Sequence, residues 1–194
     1  MKHLCAMMSL AISIGASGEI ARAAVFTVTD AGDDSHATNN TVTCQAGSPT
    51  CTFREALLEA NSAGWGNSGV HEVRFDLQPI RPIFLAYSLP VVFSNLHVDG
   101  RNSGGGNVVV DGGGMWRIFL LGDDGTALPY DQGNPRRISV SLQNLTLRGG
   151  MAKGGNGGES GGGGAGVGGG VVGNSIADVT MTDVLLVGNS AIGG

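Results

Sequence analysis

Two matching segments near the end of the sequence limit most strongly how this chain can fold. Residues 140–152, VSLQNLTLRGGMA, align without a gap with residues 179–191, VTMTDVLLVGNSA. A strand-like segment that ends in glycine recurs at intervals of 22, 27 and 39 residues, with endings at 98–100, 120–122, 147–149 and 186–188. Repeated short strands with glycine turns are typical of solenoids, in which successive coils stack. We therefore expect coils with a minimum period near 22 residues.

Apolar residues alternate along these strands, which predicts that one face of each strand points into a core. The paired inward positions are Leu96 and Val98, Val108 and Val110, Leu145 and Leu147, and Val184 and Leu186. One coil cannot bury such a face alone, whereas stacked coils bury it against each other and form hydrogen-bonded ladders. The sequence therefore predicts an all-β solenoid of stacked strands over residues 66–194. A β-sandwich is the main alternative.

Glycine makes up 35 of the 194 residues, far above the usual ~7%. Its tolerance of positive φ suits tight corners between strands, and the absence of a Gly-X-Y period excludes collagen. Residues 149–173 contain 15 glycines and too few side chains to build a core, so we expect an inserted lateral loop or a mobile segment there. The net charge of −5, without a basic patch, argues against nucleic acid as a partner.

The first 23 residues have the pattern of a signal peptide. Lys2 and the α-amine provide positive charge, and the apolar residues 4–16 are too few to span a bilayer. The segment that ends at Ala23 fits a small-x-small cleavage site, which predicts a mature chain that begins at Ala24. An uncleaved membrane anchor is the alternative. No later apolar run is long enough to span a membrane, so we expect an exported protein with no transmembrane segment in its mature chain.

Cleavage would leave two cysteines, Cys44 and Cys51, which lie close together in the sequence. Two nearby cysteines in an exported chain predict one disulfide. A metal pair is the alternative, although no histidine or third cysteine lies at ligand spacing. The polar residues Asp33, Asp34 and His36 fit no calcium loop. We expect them to form a solvated turn, and we expect no metal and no cofactor.

Residues 51–64, CTFREALLEANSAG, form the only segment after the N-terminus that is predicted to be helical. Thr52 and Glu55 have the spacing of a capping box, in which each side chain accepts a hydrogen bond from the other residue's backbone N–H. Phe53 and Leu57 fall on one face of the helix. The segment therefore predicts one short amphipathic helix in a chain that is otherwise rich in strands.

The two ends of the expected stack differ. We expect residues 24–65, termed the lid, to cover the first coil, with Phe53 and Leu57 facing inward and Arg54 donating to carbonyls at the coil edge. At the other end the repeat stops at 188–194, GNSAIGG, with no capping element. A bare solenoid end exposes ladder groups and apolar faces, so we expect a continuation of the chain or a partner there.

The segment CTFREALLEAN at 51–61 resembles the Cys-Ser-Leu-Arg-Glu-Ala (CSLREA) motif that opens many exported bacterial right-handed parallel β-helix proteins. The matching residues are Cys51, Arg54, Glu55, Ala56, Ala60 and Asn61. Thr52 and Phe53 depart mildly from the motif. Such proteins are polymorphic outer-membrane-protein-like, autotransporter-passenger-like or adhesin-like. The resemblance implies a right-handed parallel β-helix of the pectin-lyase type, exported and extracellular or associated with the outer membrane or cell surface.

Parallel β-helices also include polysaccharide lyases and glycoside hydrolases, whose sites place carboxylates on one outer face. The candidate residues for such a site are His97 and Asp99, which are expected on the same side of one strand, away from the core, and Asp111, which is expected on another face. The glycine endings align Asp99 with Leu121, Arg148 and Val187, so no stack of acidic residues is predicted. We therefore expect a non-catalytic, adhesin-like protein that binds host-surface or polysaccharide ligands. A carbohydrate-active enzyme is the alternative.

Overall fold

The computed structural model describes residues 23–33, 44, 50–64, 69–122, 137–156 and 163–194, and this part of the chain is mostly strand with one helix. The helix α1 is Phe53–Gly64. The strands are β1 (Val25–Val28), β2 (His71–Phe75), β3 (Ile83–Phe84), β4 (Leu96–Asn102), β5 (Val108–Asp111), β6 (Phe119–Leu121), β7 (Ile138–Gln143), β8 (Leu145–Arg148), β9 (Met151–Lys153), β10 (Val171–Gly173), β11 (Ala177–Thr182), β12 (Leu185–Val187) and β13 (Ser190–Ile192). Of the predicted signal peptide, residues 1–23, all but the last residue lie outside the described residues. Within the described part, no helix has the length and apolar character needed to cross a membrane.

The strands form a five-stranded sheet in the order β1-β2-β4-β7-β11 and a four-stranded sheet in the order β3-β5-β8-β12. Two further pairs, β6-β10 and β9-β13, complete the sheets of the described residues. All these pairings are parallel. From β2 onward, strands that follow one another in the chain belong to different sheets, so the chain visits another sheet before it returns to pair with an earlier strand, whereas β1 and β2 pair directly with α1 between them in the chain.

The ungapped alignment of 140–152 with 179–191 is confirmed by the strand register. Val140 pairs with Val179, Leu147 with Leu186, and Ala152 with Ala191. Three consecutive strands, β7 to β9, therefore repeat as β11 to β13 at one constant offset.

The interval of 22 residues between the glycine endings at 98–100 and 120–122 does not join paired strands, because β4 and β6 belong to different sheets. The shortest offset within the sheets joins His71 to Leu96, 25 positions later. The glycine endings also belong to different sheets, because Gly100 lies within β4 whereas Gly149 follows β8. Gly149 has a φ of 59° and forms a turn. Gly100 is instead required by close packing, because a Cβ there would lie 2.4 Å from the carbonyl oxygen of Asn144.

The predicted inward face is buried in all but the last layer. The buried residues of these pairs are Leu96, Val98, Val108, Val110, Leu145 and Leu147, each at most 1% exposed. Val184 is only partly buried and Leu186 is 49% exposed, although Leu186 is in register with the buried Leu147. The reason is that β11, β12 and β13 are edge strands, and no described strand pairs with their outer edges.

The helix α1 packs against β1 and β2, the first two strands of the five-stranded sheet. The Phe53 ring lies 5.3 Å from that of Phe75 and 5.9 Å from that of Phe119, centroid to centroid, and Leu57 is fully buried. At the start of the helix, the N–H of Thr52 donates to Glu55 Oε2 over 2.8 Å and the N–H of Glu55 donates to Thr52 Oγ1 over 3.3 Å. The spacing of a capping box is thus realised.

The glycine-rich segment 149–173 is not only a lateral loop. It contains the strands β9 and β10, and β9 pairs with the last strand, β13. Its glycines also permit close backbone contacts, since the N–H of Gly164 donates to the carbonyl of Gly155 over 2.7 Å. Residues 157–162 lie outside the described residues.

Candidate functional site on the outer face of the five-stranded sheet

The outward side chains of the five-stranded sheet form two polar rows, because residues in register on parallel strands point the same way. The first row runs through Glu72, His97, Ser141 and Thr180. The second row runs through Asp99, Gln143 and Thr182. The half of this face on β2 and β4 is charged, whereas the half on β7 and β11 carries mainly hydroxyl and amide groups.

The charged half is organised by two ion pairs between residues two positions apart on one strand. On β2, Arg74 donates to both carboxylate oxygens of Glu72 over 2.7 Å. On β4, Arg101 Nη2 donates to Asp99 Oδ2 over 2.7 Å, and Asn144 donates to Asp99 Oδ1 over 2.8 Å. Each carboxylate is thus neutralised by a cation of its own strand.

The hydrogen bonds from Arg101 lower the pKa of the Asp99 carboxyl to about 2, with smaller contributions from Asn144 and the backbone of Arg101. A general acid works best with a pKa near the operating pH. Asp99 therefore stays ionised under ordinary conditions, and its four hydrogen-bonding sites are largely occupied. This arrangement positions an anion in a fixed place and does not prepare a proton donor.

The three candidate residues from the sequence are not brought together. His97 and Asp99 share the outward face of β4, as predicted, and both are partly buried. Asp111 lies on β5 in the four-stranded sheet, which agrees with its expected place on another face. Its carboxylate accepts from Arg148 Nε over 2.7 Å and from the N–H of Gly113 over 2.8 Å. Asp111 therefore stabilises a turn and an ion pair.

The alignment of Asp99 with Arg148 is wrong. In register, Asp99 pairs with Gln143, and Arg148 pairs with Asp111 and then with Val187. Acidic residues nevertheless do not stack along this face, since the partner of Asp99 on β7 is Gln143. Within the described residues, no cluster of three or more metal-binding side chains occurs.

The expected solvated turn at Asp33 is wrong, because the Asp33 side chain is 1% exposed and pairs with Arg54. The guanidinium donates through Nε and Nη2 to the two carboxylate oxygens, each over 2.7 Å. The same guanidinium donates to the carbonyls of Ser88 and Tyr87 over 2.8 Å, as expected for Arg54 at the coil edge. The N–H of Ala86 donates to Asp33 Oδ2 over 2.8 Å. Asp34 and His36 lie outside the described residues.

A disulfide closes a loop within the lid, and Asn61 attaches the helix to the chain outside the lid. Cys44 and Cys51 form a disulfide. Asn61 Nδ2 donates to the carbonyl of Val91 over 2.7 Å, and Asn61 Oδ1 accepts from the N–H of Phe93 over 3.1 Å. The Asn61 side chain thus makes the two hydrogen bonds that a neighbouring strand would otherwise make with residues 91–93. It thereby links α1 to the main chain that precedes β4.

Sequence reasoning missed the ion pair of Glu72 with Arg74, although the alternation in HEVRF places both on one face of a strand. It also missed the pair of Asp33 with Arg54, for which no local signal exists because the residues lie 21 positions apart. A third missed feature is the contact between the rings of Tyr87 and Trp116, which lie on separate segments.

Comparisons of this chain with protein-family models, with curated proteins and with solved structures find no match.

Proposed function

We propose that this chain is an exported, non-catalytic, right-handed parallel β-helix protein of the pectin-lyase-like type, which presents its outer walls for binding at or beyond the bacterial surface. The parallel pairing of every sheet, with strands that return to the same sheet after visiting others, supports a solenoid. Parallel crossovers are right-handed in nearly all proteins. The resemblance of residues 51–61 to the CSLREA motif supports the same fold and an adhesin-like role.

The non-catalytic part of the proposal depends on one observation. On the outer face of the five-stranded sheet, the carboxylates of Glu72 and Asp99 are paired with arginines. Glycoside cleavage by paired carboxyls needs one protonated and one ionised group. Glu72 and Asp99 each bind an arginine, and the low pKa of Asp99 removes it as an acid near neutral pH. A wall of fixed charges and hydroxyl groups suits binding, because such groups donate and accept hydrogen bonds without changing protonation state.

Export is supported by features of the N-terminal region. Residues 1–23 have the order of a signal peptide, and the disulfide between Cys44 and Cys51 suits an oxidising compartment. In the structure, the carbonyl of Ala24 accepts from the N–H of Glu72 over 2.9 Å. Cleavage between Ala23 and Ala24 would therefore leave the ladder between β1 and β2 intact.

A carbohydrate-active enzyme, either a polysaccharide lyase or a glycoside hydrolase, is the second candidate. One observation favours it, namely that His97, Asp99 and two arginines share one outer face. Lyases need a base beside a cation that stabilises a developing anion, and this face contains both kinds of group.

Incubation of the processed protein with polygalacturonate, alginate, xylan and chitin separates the two candidates. We expect no release of reducing ends and no unsaturated products. Cleavage by the wild-type protein that is abolished in Asp99→Ala would overturn the proposal. The matched control is Asp178→Ala, because Asp178 is an exposed carboxylate of the same sheet that also pairs with an arginine, Arg137.

A further inference from the structure

The backbone nitrogen of Ala24 lies against the side chain of a buried histidine. The N–H of Ala24 donates to His71 Nδ1 over 3.2 Å, and the carbonyl of Ala24 accepts from the N–H of Glu72 over 2.9 Å. His71 begins β2 and is 1% exposed. Both polar groups of the Ala24 backbone are therefore fixed by two consecutive residues of one strand. Ala24 is also the residue with which the predicted cleavage site begins the mature chain.

The His71 ring is held as an acceptor toward Ala24. Its centroid lies 6.2 Å from that of the Phe26 ring on β1, and the backbone N–H of His71 donates to the carbonyl of Asn95 over 3.0 Å. Because Nδ1 accepts the Ala24 N–H, the proton of the neutral ring is on Nε2. Nε2 is buried without a hydrogen bond of ordinary geometry. Burial lowers the pKa of His71, against a smaller opposing effect of the Ala63 backbone, and so favours the neutral ring.

The Ala24 nitrogen lies where the chain passes from solvent into the fold. Ala23 is exposed and Ala24 is half-buried, whereas Phe26 is buried. The nitrogen therefore has the His71 ring on one side and access to water on the other. An ammonium group at this place would have three N–H donors, of which one can bind the ring and two can be hydrated.

The titratable side chains of the elements packed around this histidine are engaged elsewhere. Glu72 and His97 lie on the outer face of the five-stranded sheet. On α1, Arg54 is paired with a buried carboxylate, Glu55 caps the start of the helix, and burial raises the pKa of Glu59. The lowered pKa of the histidine is caused by burial, with no contribution from a charged side chain. The ring is thus available for a cation.

We propose that His71 is the receptor for the α-ammonium group that signal cleavage creates at Ala24. A signal peptidase hydrolyses the bond between Ala23 and Ala24. The oxygen of water joins the carbonyl carbon of Ala23, the C–N bond breaks, and the nitrogen takes both protons of water. The products are a carboxylate on Ala23 and an ammonium group on Ala24.

The new charge strengthens an existing hydrogen bond. A free α-amino group has an ordinary pKa of about 7.7–8.0, so it is mostly charged at neutral pH. Charge-assisted hydrogen bonds are roughly twice as strong as neutral ones. The bond between Ala24 and His71 therefore becomes stronger on cleavage, and it attaches β1 more firmly to β2. This inference rests on the proposed function, because it requires export and cleavage before Ala24.

The test compares the processed chain, which begins at Ala24, with the same chain acetylated at its N-terminus. A Lys153→Arg background makes the α-amine the only primary amine of the processed chain. The acetyl group takes the place of the Cα and carbonyl of Ala23, which the structure already accommodates, and it restores an uncharged N–H. Acetylation is expected to lower the folding equilibrium constant about fivefold near pH 7, measured by urea titration.

The pH dependence of this difference follows from the amine. A bond to His71 favours the charged amine, so its contribution is present below the unfolded pKa of about 7.7–8.0 and is lost as the pH rises through the folded value. The two forms are therefore expected to have similar stability at about pH 10. Below neutral pH the difference is expected to decline as His71 becomes protonated in the folded chain.

Two matched variants assign the effect to His71. His71→Phe keeps an aromatic ring without an acceptor and is expected to remove the effect of acetylation. His97→Phe makes the same change on the outer face and is expected to retain it. NMR titration of the wild-type ring gives a second readout that does not depend on how well His71→Phe folds. The midpoint of His71 is expected to be lower in the free chain than in the acetylated one, because the ammonium group repels a proton on the ring.

The results differ in what they overturn. Mass spectrometry of the exported protein gives its first residue, and a start other than Ala24 would overturn the cleavage site of the proposed function together with this inference. Equal stability of the free and acetylated chains near pH 7 would overturn the role of His71 alone. The same holds for an acetylation effect that persists in His71→Phe, or for identical His71 titrations in the two forms.

Discussion

The two ends of the stack contain similar apolar patterns and yet differ in burial. At the lid end, α1 covers the first layer, and Phe53 and Leu57 are completely buried. At the other end, Leu186 faces the same way as Leu147, its partner in register, but is 49% exposed. Alternation along a strand therefore decides where a side chain points, whereas burial also requires a covering layer.

The largest effect is expected from breaking the buried ion pair of Asp33 and Arg54 within the lid. Arg54→Ala leaves the Asp33 carboxylate buried without its cation and removes two donors to main-chain carbonyls. Loss of one partner of a buried pair costs about 3–5 kcal/mol. We expect the free energy of unfolding, measured by urea titration, to fall by about this amount.

The matched control is Arg137→Ala near the other end, which removes an exposed pair with Asp178 on β11. Exposed ion pairs contribute little because water and salt screen them. No measurable change in the urea midpoint is expected. Equal losses for the two variants would contradict the assignment of the Arg54 pair as the buried one that secures the lid.

An intermediate effect on the free energy of unfolding is expected when the same substitution, leucine to alanine, is made at two positions in register. Leu147→Ala removes a fully buried side chain and is expected to cost about 2–5 kcal/mol. Leu186→Ala removes a half-exposed one and is expected to cost less than about 1 kcal/mol. Urea unfolding at several protein concentrations measures both. If Leu186→Ala were as costly as Leu147→Ala, the last layer would have to be covered in solution.

The smallest effect is a pH dependence at the lid end. His71 is buried, its Nδ1 accepts from the N–H of Ala24 over 3.2 Å, and burial lowers its pKa, against a smaller opposing effect of the Ala63 backbone. Between this lowered pKa and the unfolded value of ~6.5, the unfolded chain binds a proton that the folded chain does not. Stability is therefore complete above about pH 6.5 and declines as the pH falls below it.

This dependence can be measured by urea unfolding at about pH 7.5 and about pH 5. His71→Asn is expected to reduce the loss of stability between the two conditions, because the titrating group is gone. His97→Asn, a change on the outer face of β4, is expected to leave the loss as it is in the wild type. A loss that is unchanged in His71→Asn would show that other groups cause it.

Much of the local structure was predictable because the interactions concerned are short in range. Thr52 and Glu55 lie three positions apart, so their spacing alone predicts the capped start of α1. The alternation around Leu96 and Leu145 likewise predicts which side chains face the core. In the candidate site, the shared face of His97 and Asp99 follows from the same alternation.

The pairing of distant segments was not predictable in this way. The sequence around Asp33 predicts a polar turn. In the structure Asp33 is buried and forms an ion pair with Arg54, which is distant in sequence. Asp99 was aligned with Arg148 because both precede a glycine, although the glycines serve different purposes, one a close approach and the other a turn. The lowered pKa of Asp99 depends on hydrogen bonds from Arg101 and Asn144. Asn144 lies in the connection between β7 and β8, 45 positions from Asp99.

Local sequence patterns were enough to predict most of the longer strands, the capped helix α1, the inward direction of the apolar residues and the constant offset between β7–β9 and β11–β13. These features depend on backbone preferences and on periods of a few residues, so residues close together in the sequence determine them. The choice of paired strands and the burial of each apolar residue depend on the tertiary structure. So do the ion pairs of the carboxylates and the contacts between aromatic rings. Those outcomes depend on contacts between residues far apart in the chain, and the local pattern is compatible with several such arrangements.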